Sequence, residues 1–106
     1  MPKYLLEVTY TLDGVKGLKS DGGTARQSAA AGLCESLGGK IESFHFAFGG
    51  TDAYVVADFP DDTTAAAAAL TVAAGGGARV RTVVLLSPAE LDSAVAKQAT
   101  YRPPGG

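Results

Sequence analysis

The chain has 106 residues, of which 46% are hydrophobic and 19% charged, and its net charge is −2. This length suits one domain with one modest core, and the composition is typical of a folded globular protein. Nine Lys and Arg are scattered among eleven Asp and Glu, which argues against a nucleic-acid partner. No run approaches the ~20 apolar residues of a membrane span.

Tyr4–Tyr10 predicts the first strand, with Leu6 and Val8 on the same face as the two tyrosines. Residues 11–14 are expected to form a turn, and residues 15–20 a short helical piece. These residues are therefore a transition between the first strand and the first long helix.

Ala25–Leu37 predicts that long helix, with an apolar stripe of mostly small residues that suits close packing on a sheet. Thr24 is its expected N-cap, since its hydroxyl can accept from a free amide. Gly38 and Gly39 are expected to end the helix, in the left-handed conformation that follows many helices.

The next stretch predicts a hairpin of two strands, Ile41–Phe48 and Ala53–Phe59, joined by a glycine-rich turn at residues 49–52. Three phenylalanines alternate along the first strand with smaller or polar residues, and these are Phe44, Phe46 and Phe48. If the phenylalanines pack under the helices, His45 faces the opposite side of the sheet.

The second half predicts another helix and a fourth strand. Residues 60–63 open the helix, because their acidic side chains favour its positive N-terminal end. Its alanine-rich body over Ala65–Leu70 continues to the glycines at 75–77. Arg79–Leu86 is the expected fourth strand.

Ser87–Glu90 contains a complete helix start, with Ser87 as N-cap, Pro88 at N1 and Glu90 closing a capping box. The third helix is expected to run to about Gln98. Residues 99–106 should form an extended tail, because its prolines are incompatible with helix.

The order β-α-β-β-α-β followed by a C-terminal helix predicts an α+β, ferredoxin-like fold. Such a fold has a four-stranded antiparallel sheet with two helices on one face. We assign residues 1–98 to this domain and residues 99–106 to the tail. Both faces of the predicted strands are partly apolar, so an uncovered face would be a liability for a monomer. We therefore expect a homodimer or higher oligomer in which two sheets pack face to face, as a dimeric α/β barrel.

Several segments together resemble the GYD-domain family, named for a Gly-Tyr-Asp signature after the second strand. The resemblance implies the ferredoxin-like, dimeric α/β-barrel fold, and it implies no established activity. Gly49 and Asp52 keep the signature, whereas Thr51 stands where the family usually has tyrosine. The segments that carry the resemblance are Pro2–Leu5, Gly14–Leu18, Gly22–Arg26, Glu42–Gly49 and Tyr101–Gly105.

His45 is the leading candidate for a functional residue, because it is the only histidine of the chain and histidine is the side-chain type best suited to acid–base chemistry near neutral pH. It is a candidate general base or ligand donor, and the alternative is an interface histidine bonded to a neighbour. Asp52 follows two glycines, where aspartate is also a common turn residue. Tyr54 and Arg81 are further candidates, and Arg26 with the preceding glycines is a weak anion-site candidate against an ordinary exposed arginine.

Cysteine usage and the N-terminus bear on the cellular compartment. Cys34 is the only cysteine, so an internal disulfide is excluded, and we interpret it as a half-buried apolar residue rather than a nucleophile. The N-terminus does not resemble a signal peptide, so the cytoplasm is the expected location. One His and one Cys do not furnish a zinc site within one chain, and we expect no metal or other cofactor.

Two classes of function remain open. The first is a protein that binds a small molecule, with aromatic compounds as the first class to consider, in a pocket near His45. Such a protein could also be an enzyme, because the dimeric α/β barrels that it resembles include cofactor-free monooxygenases and isomerases. The second is a non-catalytic oligomeric structural or sensor protein.

Overall fold

The chain forms four strands and four helices, described over all 106 residues by a computed structural model. In chain order the elements are β1 (Lys3–Tyr10), α1 (Leu12–Asp21), α2 (Gly23–Ser36), β2 (Lys40–Phe46), β3 (Ala53–Asp58), α3 (Asp62–Ala74), β4 (Ala78–Leu85) and α4 (Pro88–Val95). None of these helices combines the length and the apolar character that crossing a membrane requires.

The four strands form one antiparallel sheet in the order β2-β3-β1-β4. Helix α2 packs mainly against β2, and α3 packs mainly against β4. The α+β, ferredoxin-like fold predicted from the sequence is therefore confirmed. We call the side of the sheet under α2 and α3 the helix face, and the opposite side the open face.

The core lies between the helix face and the helices, and Tyr4 and Phe59 are its largest fully buried side chains. Their ring centroids are 5.8 Å apart in a tilted arrangement. The Tyr4 hydroxyl donates to Asp62 Oδ1 at 2.6 Å. This hydrogen bond, together with burial, raises the pKa of Tyr4 to about 12. The bond ties β1 to the first turn of α3.

The connection before α2 is more helical than the sequence predicted. The expected turn at residues 11–14 is wrong, because Thr11 is the N-cap of α1 and its Oγ1 accepts from the Gly14 amide at 3.2 Å. The expected N-cap Thr24 is also wrong, because α2 already begins at Gly23. Gly22 separates the two helices with φ 85°, a backbone conformation that glycine adopts without steric cost.

The start of α1 lies directly on the turn between α3 and β4. A Cβ atom added at Gly14 would stand 1.8 Å from the carbonyl oxygen of Gly77. The Thr11 amide donates to the same carbonyl at 3.0 Å, and the Thr11 hydroxyl donates to the Gly76 carbonyl at 2.8 Å. Glycine at position 14 is therefore required by a contact that is distant in sequence.

Strand β2 is shorter than predicted, because it ends at Phe46 and leaves Phe48 fully exposed in the following turn. A bulge between Ile41 and Ser43 breaks the alternation of its side chains. Ile41 therefore lies on the helix face with Phe44, although strict alternation would have put it beside His45. The rings of Phe44 and Phe46 are 5.1 Å apart, and His45 points to the open face as predicted.

The predicted capping box of the last helix is present. Ser87 Oγ accepts from the Glu90 amide at 3.1 Å, and Glu90 Oε1 accepts from the Ser87 amide at 3.0 Å. Helix α4 ends at Val95, three residues earlier than expected, and it contains no buried residue.

Candidate functional site

One cross-strand row on the open face contains three of the five predicted site residues. His45 of β2 pairs with Tyr54 of β3, Tyr54 pairs with Glu7 of β1, and Glu7 pairs with Arg81 of β4. Directly opposed residues of an antiparallel sheet point to the same side. His45, Tyr54, Glu7 and Arg81 therefore form a continuous polar row across all four strands.

The charges of this row are weakly paired. Arg81 Nε lies 3.8 Å from Glu7 Oε2, and the Arg81 side chain is 84% exposed. The Tyr54 ring is also exposed, and His45 lies on the surface. The row is thus an open, solvated strip and not an enclosed pocket.

A second polar cluster, formed by Lys3, Glu42 and Asp58, lies at the other end of the open face. Lys3 Nζ lies 2.7 Å from Glu42 Oε2 and 2.9 Å from Asp58 Oδ1. Hydrogen bonds to Glu42 and then to Asp58 raise the pKa of Lys3 above its usual value. Asp58 is a strand carboxylate with only 6% of its surface exposed, and this pairing explains how its burial is tolerated.

An apolar cleft lies on the other side of the sheet, between α2 and α3. The helices pack over opposite edges of the sheet, so they leave a cavity of about 70 Å³ above its centre. Of its 15 lining residues, Arg26 is the only charged one. The apolar lining includes Leu6, Val8, Val55 and Val80 from the strands and Ala30 from α2.

Tyr10 and Arg26 mark one end of this cleft, where β1 ends and α2 begins. Burial raises the pKa of Tyr10, while the neighbouring Arg26 guanidinium acts in the opposite direction. The Tyr10 hydroxyl is therefore neutral at physiological pH. Asp52 Oδ2 accepts from the Tyr10 backbone amide at 2.9 Å, which fixes the strand end that carries this tyrosine.

The end of the cleft at Tyr10 and Arg26 opens into a wider groove between α1 and the end of α3. This groove has a volume of about 390 Å³ and shares Tyr10, Arg26, Val72 and Ala78 with the cleft. It is mostly polar in its lining. The two cavities together offer an apolar chamber, a cation at its mouth and an aqueous vestibule.

A third cavity, of about 360 Å³, lies on the open face beside the turn between β2 and β3. Its lining includes Thr51, at the signature position, and the two arginines Arg79 and Arg81. His45 lines none of these three cavities. The expected pocket beside His45 is therefore not among them.

The predicted site residues thus fall into two groups. His45, Tyr54 and Arg81 share the open-face row, whereas Arg26 lines the mouth of the cleft and Asp52 accepts from the backbone amide of Tyr10 beside it. Sequence reasoning missed Tyr10 as a site residue. The alanine-rich faces of α2 and α3 were the available signal for the cleft, since small side chains leave space above a sheet.

No group of three or more His, Cys, Asp and Glu side chains is placed to hold a metal ion. Cys34 is buried and unpaired. Burial, and then the nearby Glu35 carboxylate, raise the pKa of its thiol. The side chain lines the apolar cleft, in agreement with its interpretation as a small apolar residue.

The fold and the cleft define a small ferredoxin-like protein with a chamber between its sheet and its helices. The GYD domain family model matches residues 4–95, so the chain belongs to this family, as its motifs indicated. The match ends before the Tyr101–Gly105 segment. No curated protein and no solved structure matches the chain.

Proposed function

We propose that this GYD-domain protein binds a small, mainly apolar organic acid in the cleft between α2 and α3. The observation that carries the proposal is the single cation, Arg26, at the mouth of an otherwise uncharged and mostly apolar chamber. The ligand's apolar body occupies the chamber, and its acidic group pairs with the guanidinium.

The chamber suits an apolar occupant better than water. Its volume of about 70 Å³ is several times the ~10–15 Å³ that one water needs, and its walls offer few hydrogen-bonding partners. Apolar surface moved from water into such a site contributes about 25 cal/mol per Å². One aromatic ring or a short alkyl chain is the size of occupant that this space favours.

Arg26 supplies the positive charge for an anion at the polar end of the site, while two carboxylates, Asp13 and Asp21, line the vestibule beyond it. A guanidinium binds a carboxylate through two parallel hydrogen bonds, and Arg26 reaches both the chamber and the vestibule. The neutral Tyr10 hydroxyl at the same end is available as a further donor. The hydrogen bond from the Tyr10 amide to Asp52 holds this end of the site in place.

A second candidate function is assembly without a ligand, as an oligomeric structural or sensor protein. The half-buried apolar residues of the open face, which no helix of the same chain covers, favour it. In this case His45 and Tyr54 serve an interface. Catalysis beside His45 has no comparable support, since none of the cavities described is lined by that residue.

The test is a binding titration followed by methyl NMR. Benzoate, phenylacetate and hexanoate are compared with benzyl alcohol and benzylamine. We expect the three acids to shift the methyl signals of Leu6, Val8 and Val55 in the cleft, and to leave those of Leu5 and Val56 on the open face unchanged.

Matched variants separate the cation from the chamber. Arg26→Gln should weaken the acids by about 10- to 100-fold, the size of one charge-assisted hydrogen bond, and leave benzyl alcohol unaffected. Arg81→Gln removes the same charge from the open face. It should change neither the affinity for the acids nor the affinity for benzyl alcohol. Ala30→Leu fills the chamber and should abolish binding of all the compounds. Shifts confined to the open face, or no binding by any compound, would contradict the proposal.

A further inference from the structure

The C-terminal segment Leu86–Gly106, which we call the arm, lies away from the rest of the chain. Every residue in it is exposed, and α4 makes no extensive contact with another helix or strand. The radius of gyration is 16.8 Å, against about 13 Å for a compact domain of this length. The longest dimension is 56 Å and the shortest is 22 Å.

The arm nevertheless carries the side chains of a packed element. Leu86, Leu91 and Val95 are 58%, 55% and 78% exposed. Leu91 and Val95 are four residues apart, so they lie on one side of α4. An isolated helix of eight residues is marginal in water even with a good capping box. The sequence of α4 therefore fits a helix that is stabilised by packing on another surface.

The open face of the sheet also carries apolar side chains that no other part of the chain covers. Between its polar row and the Lys3 cluster lies an apolar band formed by Leu5, Val56 and Val83, with Leu85 beside it. These residues are half-buried, and no helix of the chain covers them. One molecule thus presents two unpartnered apolar surfaces, the arm and the open face.

We infer that the arm packs onto a second copy of this chain and supplements an interface between the two open faces. Two-fold pairing lets each copy give its arm and receive the other, so that both surfaces are covered at once. The inference does not depend on ligand binding in the cleft, because the cleft lies on the other side of the sheet.

The area of the sheet leaves a role for the arm in an interface between two copies. A sheet of four strands spaced ~4.8 Å apart, each about seven residues long at ~3.3 Å, has a flat face of roughly 450 Å². Two such faces give about 900 Å² of flat area, and a stable interface buries ~1,200 Å² or more of accessible surface. Two arms add apolar contact surface to it.

The reach of the arm is sufficient. Helix α4 has eight residues and spans ~12 Å at the helical rise, and the residues after it add up to ~30 Å if they are extended. The arm can therefore cross a sheet face that is about 20 Å wide. The pair Pro103 and Pro104 stiffens its far end.

The first test measures the dimer dissociation constant of the full chain by sedimentation equilibrium. The double variant Leu91→Asp with Val95→Asp places two carboxylates on the apolar side of α4. The control, Ala89→Asp with Ser93→Asp, places two carboxylates at the same spacing on the opposite side. We expect the first variant to raise the dissociation constant at least ~100-fold, and the control less than about threefold.

The second test identifies the molecule that receives the arm. The Ser93→Cys variant, at natural isotope abundance, carries a nitroxide on the new cysteine. It is mixed with an equal amount of ¹⁵N-labelled wild-type chain. We expect faster relaxation of the Leu5, Val56 and Val83 amides in the labelled copy. A chain that is monomeric at millimolar concentration, a dimer equally affected by both double variants, or relaxation enhancement absent from those amides would each overturn the inference.

Discussion

The backbone amide of Tyr10 donates to the carboxylate of Asp52 at 2.9 Å. This bond joins the end of β1 to the turn between β2 and β3. The Asp52 amide in turn donates to the Val8 carbonyl at 2.8 Å, and its carbonyl accepts from Ala47 at 2.8 Å. Asp52 therefore ties the turn between β2 and β3 to the end of β1, next to Tyr10 at the mouth of the cleft.

Replacing this aspartate should destabilise the protein. Asp52→Ala leaves the partly buried Tyr10 amide without its acceptor, and such a loss costs about 1–3 kcal/mol of unfolding free energy. Asp52→Asn keeps an oxygen acceptor and should cost less. Urea unfolding measures both values, and equal losses for the two variants would show that the hydrogen bond is not the cause.

Two glycines of α1 should respond to alanine in opposite directions. At Gly14 the new Cβ would meet the Gly77 carbonyl, so we expect Gly14→Ala to lower the unfolding free energy by at least ~2 kcal/mol. At Gly17 no atom lies within 4 Å, and alanine favours the helix by about 0.5–1 kcal/mol. Gly17→Ala should therefore stabilise the chain.

Thermal and urea unfolding of the two variants provide the test, and each variant is the control for the other. Both substitutions change glycine to alanine within the same helix, so propensity alone predicts the same sign. Stabilisation by Gly14→Ala would contradict the close contact between α1 and the turn before β4.

Local signals predicted much of the fold. The capping box at Ser87 and Glu90 depends only on neighbouring residues, and it forms as expected. Gly38 adopts φ 77° after α2, also as predicted. Side-chain alternation in β1 correctly placed Leu6 and Val8 with Tyr4 and Tyr10, because that central strand contains no bulge.

The features that sequence reasoning missed depend on distant contacts. Gly14 suggested a turn, but it lies inside α1, where an added side chain would collide with the distant Gly77 carbonyl. The bulge before Ser43 is set by pairing with β3, which a single strand does not reveal. The cleft depends on the distance between α2 and α3. The sequence alone therefore did not predict that Arg26 and Tyr10 line the same cavity.

Cys34 should resist modification until the fold opens. It is 3% exposed, and burial raises the pKa of its thiol, so little thiolate is available to react. We expect a disulfide-exchange reagent to label the native chain at least ~100-fold more slowly than the urea-unfolded chain, since reaction requires transient opening. Rapid labelling of the native chain at neutral pH would contradict the buried position.

Tyr4 should give the stability of the protein a distinct dependence at alkaline pH. Its hydrogen bond to Asp62 and its burial raise its pKa from 10.0 to about 12. Between these two values the unfolded chain loses the phenolic proton while the folded chain retains it. Ionisation therefore favours unfolding, and the stabilisation from this group is complete below pH 10 and lost as the pH rises towards 12.

Tyr4→Phe removes both the hydrogen bond and the ionisation. At pH 8 the variant should unfold at a lower urea concentration than the wild type, and this difference should narrow as the pH is raised from 10 towards 12. Tyr101→Phe is the control, because it also removes one phenolic hydroxyl but leaves the hydrogen bond between Tyr4 and Asp62 intact, so the pH dependence of the urea midpoint should follow that of the wild type. A difference between wild type and Tyr4→Phe that stays constant over this pH range would show that the Tyr4 hydroxyl is not held by Asp62.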